Sequence, residues 1–279
     1  MPQIAPIGEQ VGKYMTIPES AKGPAIDPAK GHRIQDLGQG LDMVTENVYQ
    51  SMFLVYDKGV VVIDAPPSLA TFIPKAIVYS PSHIDHIGAA SGRGGKPIII
   101  AHEETKRLLA RAHDPNRPVP TVTFKDSYVL KVGGKRLDLS YHGNGHEPGN
   151  IFIAAPAQRV LMVVDVIFPG WMPWRRLALA RDVPGYFAQV EQIKAMDFDV
   201  LVSGHVARTG TKTDVATQSE FINDLKAAAA KAPGTTKPGE GLNSADLGNP
   251  WAYFDNYIDR VTIQCGNSLT QMVATAGGV

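Results

Sequence analysis

Apolar residues in this chain fall in short runs broken by Gly, Pro and Asp, which predicts strands joined by turns with helices between them. Val48 to Tyr56 reads as a strand, Asp57-Lys58-Gly59 as a hairpin turn, and Val60 to Asp64 as the returning strand. A short helical piece, about Ser68 to Lys75, leads into Ala76-Ile77-Val78, a short buried strand. Pro97 to His102 is another buried strand, followed by a helix from Glu103 to Ala110. Val119 to Leu139 is strand-like, with turns at Lys125-Asp126 and Gly133-Gly134. Strands resume at Ile151–Ala154, Arg159–Asp165 and Asp199–Ser203, with helical spacing from Tyr186 to Met196. Two longer helices follow, Asp214 to Lys231 and Trp251 to Met272, separated by a loop and followed by a frayed end from Ala274. Residues 1–40, rich in Pro, Gly and Lys, predict an irregular arm. Residues 41–279 then form a single domain that includes the C-terminal helical extension.

What stands at the strand ends changes the picture. His83, Asp85 and His86 follow Val78 in a segment expected to be a loop, because neither a regular strand nor a helix turns three residues at this spacing to one side. Later strand ends carry His146, Asp165 and His205. Imidazole nitrogen and carboxylate oxygen are the donors of zinc and related metals. Any one of these residues is accommodated by a polar turn, but four strand ends carrying such residues suggest one shared rim of a sheet. Three glycines around His142 and His146 suit backbone pressed close to a ligand. Asp64 ends its strand as a turn cap or as a carboxylate ordering a neighbouring loop, and His102 reads as a capping or structural residue.

Composition narrows the field. The chain has 279 residues, 44% hydrophobic and 19% charged, with formal net charge zero, which argues against a broad nucleic-acid or anionic-membrane surface. The single Cys265 rules out an internal disulfide and a cysteine zinc cluster, and reads as a core thiol. No secretory signal is visible and no run is apolar enough to cross a membrane, so the cytoplasm is the expected compartment.

From Val48 to Ala207 the chain resembles the metallo-β-lactamase-fold hydrolase superfamily. The family's signature is His-x-His-x-Asp-His, and the window here is Pro81-Ser82-His83-Ile84-Asp85-His86. Further matches are Gly145-His146 with Gly149-Asn150, Val163-Val164-Asp165, and Ser203-Gly204-His205. The resemblance implies an α/β fold, a four-layer α/β/β/α sandwich with C-terminal helices. It places His83, His146 and Asp165 at metal one, and Asp85, His86, Asp165 and His205 at metal two. Pro81 stands where the family has its first His, which leaves metal one with two imidazoles and the bridging carboxylate.

The activity so implied is zinc-dependent hydrolysis of a small molecule with an ester, thioester, lactone or β-lactam bond. One or two zinc ions would serve, and Asp85 would orient the nucleophile and carry a proton to the leaving group. Ser203 and Asp64 are candidates to fix the imidazoles. Trp171 and Trp174 form either an apolar substrate wall or a cap on the sandwich core, and Arg175 and Arg176 either a carboxylate site or a solvated turn. The alternative is a binding or scaffold protein that keeps the fold while Pro81 impairs its metal site.

Overall fold

The computed structural model describes residues 17–72, 78–91, 97–243, 246 and 248–276. The chain divides into two compact units, Met1–Val215 and Ala216–Val279. The first unit holds both sheets. β1 (Arg33–Asp36), β2 (Leu41–Thr45), β3 (Gln50–Tyr56) and β4 (Gly59–Ile63) form an antiparallel meander in that order. Val78 bridges Ile63 on one side and Ile100 on the other, both in parallel sense, and so joins β5 (Ile100–His102) and β6 (Val122–Phe124) to this sheet. The second sheet runs β7 (Ser127–Val132), β8 (Lys135–Tyr141), β9 (Ile151–Ala155), β10 (Val160–Met162) and β11 (Val200–Val202). Only its last pair is parallel.

Period-two alternation explains the layers. Met43, Val61, Ile63 and Ile100 enter the inner core, where they share a cluster with Leu137, Leu139, Ile151, Ile153 and Met162 of the second sheet. The residues between them, Val44, Val62, Ile99 and Ala101, turn to the other face and join Leu69, Ile87 and Leu109. Ile87 lies in α1 (Ile84–Ile87) and Leu109 in α2 (Glu103–Ala112), so helix covers that outer face. On the second sheet, Tyr186 of α4 (Val183–Ala195) donates to Val166 O at 2.6 Å. The four layers are those of an α/β/β/α sandwich. α3 spans Arg175–Leu179, α5 Lys212–Thr235 and α6 Pro250–Ala276. Among the described residues no helix is long and apolar enough to cross a membrane.

Several expectations need correction. The arm expected over 1–40 contains β1, a four-residue strand whose side chains alternate between half-buried and exposed, so no hydrophobic run announces it. The metal-type cluster at 83–86 is one turn of helix with His83 as its N-cap. The helix expected over 68–75 is a 3₁₀ turn at Pro67–Leu69, and its residues 73–75 lie outside the described residues, as do Ala76, Ile77 and the Gly92–Gly95 connection. α6 continues to Ala276 through the expected frayed end. Cys265 is half-buried and free, not a core thiol.

Candidate metal centre

The structure brings all six of the expected donor residues together in two adjoining groups, His83/His146/Asp165 and Asp85/His86/His205. Within each group the donor atoms lie within 4.8 Å of one another. Each group draws on both sheets. His83, Asp85 and His86 stand between β4 and β5, whereas His146, Asp165 and His205 follow β8, β10 and β11.

Local chemistry fixes each donor. Buried Asp64, held at φ +62°, accepts from the backbone N–H of Ser80 at 2.8 Å and from its hydroxyl, anchoring the chain just ahead of the helical turn. Of the two roles open to it, Asp64 therefore performs loop ordering. Burial pushes its carboxyl up to about 6, with His86 and Ser80 pulling the other way. The Ala65 N–H donates to His86 O at 2.8 Å and closes the turn back onto the end of β4. His146 is held by its carbonyl, which accepts from Arg181 N–H at 2.9 Å. Asp165 sits at φ +63°, in a region that non-glycine residues rarely enter and that clusters at functional sites. His205 is tied to the first sheet by an antiparallel bridge to Tyr49.

Asp165 joins the two groups. Its Oδ2 lies 3.1 Å from His146 Nε2, 3.1 Å from His86 Nε2 and 3.6 Å from His83 Nδ1, and its Oδ1 lies 2.8 Å from His205 Nε2. Asp85 Oδ2 stands 3.6 Å from His205 Nε2 and 3.8 Å from His86 Nε2. Burial works against charge on Asp165, yet His86, His146, His205 and His83 outweigh it and hold its carboxyl well below the usual range. Burial likewise disfavours charged His83 and His86. The carboxylates of Asp165 and Glu147 nevertheless push His83 up to about 10, and those of Asp165, Asp85 and Asp64 push His86 up to about 9.

The residues present fit a metal. Both ring nitrogens of His86 and of His205 are buried without a well-formed hydrogen bond, although three of the surrounding donors are carboxylate oxygens within 4 Å. Buried polar atoms are almost always partnered. Lone pairs converging from imidazole and carboxylate are satisfied together by a cation, and a nitrogen–oxygen set suits zinc.

Three contributors were not foreseen. Glu147, 2% exposed, places Oε2 2.6 Å from His83 Nε2, and its Oε1 accepts from the Ser82 N–H. Its only sequence signal is its place directly after His146 in a glycine-rich loop. Gln50 donates its side-chain amide to Val206 O at 3.0 Å and Arg208 O at 2.8 Å, and accepts from Ser203 N–H at 3.0 Å. Tyr49 packs against His205 with ring centroids 4.9 Å apart and planes tilted by 50°, and burial, Asp85 and Glu46 push its phenol above the ordinary value. Ser203 reaches the backbone carbonyl of His205 at 2.8 Å rather than an imidazole. His102 caps α2, and His142 stacks on Phe152.

A cleft of about 420 Å³ opens onto His83, Asp85, His146 and Asp165 and is walled by Trp174 and the α3 turn. Trp174 stands edge-on to His205 with centroids 4.6 Å apart. At 43% and 51% exposure, Trp171 and Trp174 face outward instead of closing the core. The side chains of Arg175 and Arg176 lie outside the described residues.

Comparison with known proteins agrees with this geometry. The model of the metallo-beta-lactamase superfamily matches residues 45–205. The 2,4-dinitroanisole O-demethylase subunit alpha of Nocardioides sp. (strain JS1661) is 25% identical over 181 residues, 59% of this chain and 55% of that protein, so the chain spans about half of that relative's length. A metallo-beta-lactamase from Pontibacter korlensis superposes with a TM-score of 0.60 at 20% identity, covering 69% of this chain and 99% of that one. Metallo-beta-lactamase IND-7 gives 0.56 at 20% identity, with coverage of 69% and 98%. At these identities the structural likeness speaks for the fold alone. The family match takes in Asp85, His86, Asp165 and His205 as well as most of both sheets, and on that extent the chain belongs to the metallo-beta-lactamase superfamily.

Proposed function

We propose that this chain is a zinc-dependent hydrolase that cleaves an ester, thioester, lactone or β-lactam bond of a small molecule, acting in the cytoplasm. The observation that carries the reading is Asp165, whose two carboxylate oxygens face the two donor groups. His83, His146 and Asp165 would hold one ion, and Asp85, His86 and His205, with Asp165 shared, the other. Zinc in such a set supplies Lewis acidity and brings the pKa of water to about 7.

The protein's own groups do the rest. Asp85, 34% exposed, is the more exposed of the two donor-group carboxylates that line the cleft, placed to take a proton from the attacking water and pass it to the leaving oxygen, sulfur or nitrogen. Asp64 and Glu147 keep the imidazoles aimed by holding Ser80 and His83. Trp174 excludes water on one side of the cleft and offers an apolar face to the substrate.

A second reading comes from the Nocardioides relative, whose name is that of an O-demethylase: cleavage of an activated aryl methyl ether by water, giving a phenol and methanol. The two half-exposed tryptophans favour an aromatic substrate of this kind. Metal analysis of the purified protein, followed by a panel of nitrophenyl esters, thioesters, lactones, β-lactams and nitroanisoles, separates these readings. At least one zinc per chain and turnover abolished by His205→Ala or Asp165→Ala is expected. A protein that binds no metal and turns over none of the panel is the binding or scaffold module instead.

A further inference from the structure

Trp174 lines two spaces. One is the donor-lined cleft; the other is a separate cavity of about 550 Å³, lined by Ile17, Ala21, Val48, Trp171 and Val206 among others. Its charged lining residue, Lys22, is already paired with Glu19. Ile17, Val48, Trp171 and Trp174 are outward-facing large apolar residues, 48%, 54%, 43% and 51% exposed respectively. Large exposed apolar side chains gathered around one concavity mark a binding site better than any of them does singly.

This cavity is a built feature. Segment 17–23 lies outside the stretch matched by the family and forms one wall, wedged between the loops that follow β10 and β11. A Cβ on Gly23 would come within 1.9 Å of Ala207 O, and one on Gly170 within 2.7 Å of Ala21 Cα, so the segment touches both loops too closely for any side chain there. Arg208 Nε donates to Ser20 O at 2.6 Å and fastens the same segment to the loop after His205. Val206, a β-branched residue held at φ +66°, turns into the lining immediately beside His205.

We infer that this cavity binds an uncharged apolar arm of the substrate, an aryl or medium-chain alkyl group, while the reacting bond lies on the other side of Trp174. The choice of reacting bond rests on the hydrolytic reading; the cavity does not. The occupant is mainly apolar because, apart from Asn47, the lining offers tryptophan faces and aliphatic groups and holds its one ammonium in an ion pair. The volume falls within the range of small-molecule sites.

The test has two arms. In the first, the neutral fluorophore N-phenyl-1-naphthylamine is titrated into protein stripped of metal by a chelator, so no catalysis is needed. Saturable binding of one probe per chain is expected, weakened at least tenfold in Val48→Glu and retained in Val48→Leu, a control for folding at an exposed position. Binding that does not saturate, or that is unchanged in Val48→Glu, overturns the inference. In the second arm, kcat/KM is followed along nitrophenyl acetate, butyrate and octanoate. It should rise by about fourfold per added methylene until the cavity is full, and Val48→Glu should flatten the series. Ester turnover with a flat series in the native protein overturns the cavity while the hydrolase stands. Specific probe binding without ester turnover upholds the cavity and counts only against a simple ester as the reacting bond.

Discussion

Glu147 holds His83 by one nitrogen and thereby decides what the other faces: with Nε2 2.6 Å from Glu147 Oε2, His83 Nδ1 is left 3.2 Å from His146 Nε2 and 3.6 Å from Asp165 Oδ2. A metal-binding imidazole usually gives its second nitrogen to such a partner, which sets the tautomer and the ring plane. In this chain, where Pro81 replaces the first histidine of the signature, orientation of the remaining imidazole matters more.

Glu147→Gln should therefore weaken zinc binding at the His83/His146/Asp165 group by about 10- to 100-fold. Competition with a chromophoric chelator measures it directly, without reference to turnover. An affinity equal to that of the native protein would show that His83 needs no such hold.

Gln50 is fully buried, and its side-chain amide makes three close hydrogen bonds to the segment that carries His205. Gln50→Ala leaves Ser203 N–H and the carbonyls of Val206 and Arg208 short of partners. A loss of about 3 kcal/mol is expected from the cost of stranded buried groups. Urea unfolding followed by circular dichroism reads the loss, and a change under 1 kcal/mol would mean that water replaces the amide.

His102 supplies a pH dependence away from the metal donors. Its Nδ1 accepts from Glu104 N–H at 3.2 Å, so its Nε2 carries the proton donated to Lys125 O at 2.7 Å. Burial lowers its pKa below the ordinary 6.5, with the Lys125 carbonyl opposing. The unfolded chain then binds a proton that the folded one refuses, so this contribution to stability is lost as pH falls below about 6.5. His102→Asn keeps an N-cap without a titrating ring. The native protein should lose more stability than the variant between pH 7.5 and 5.5, and parallel denaturation midpoints would contradict the assignment.

Metal removal should destabilise the first unit, because each donor group takes residues from both sheets. Free zinc at 100 times its Kd adds about 2.7 kcal/mol, or a rise in Tm of roughly 5 to 10 °C for a unit of this size. Calorimetry with and without a chelator tests it; coincident transitions would place the donors outside any metal site.

The sheets and the donor set were legible in the sequence because their signals are local. Apolar runs on either side of a turn mark β3 and β4, and residue type at the strand ends marks His83, His146, Asp165 and His205. What escaped notice is what depends on partners far along the chain. Gln50 reads as one more strand residue until Val206, 156 positions away, is seen beside it. Glu147 reads as a solvated loop carboxylate, since nothing in Gly145-His146-Glu147 states that His83 will face it. β1, β2 and α1 were missed for a different reason: at four or five residues each, none is long enough to show a period.

The division of each donor group between the two sheets also sets a timetable. During synthesis His83, Asp85 and His86 leave the ribosome well before Asp165 and His205; the His83/His146/Asp165 group waits for Asp165, and the Asp85/His86/His205 group waits until β11 has paired with β10 and His205 has bridged to Tyr49. The nascent chain therefore offers an incoming ion only fragments of a site, so tight capture is the last act of assembly and certifies that the two halves have met.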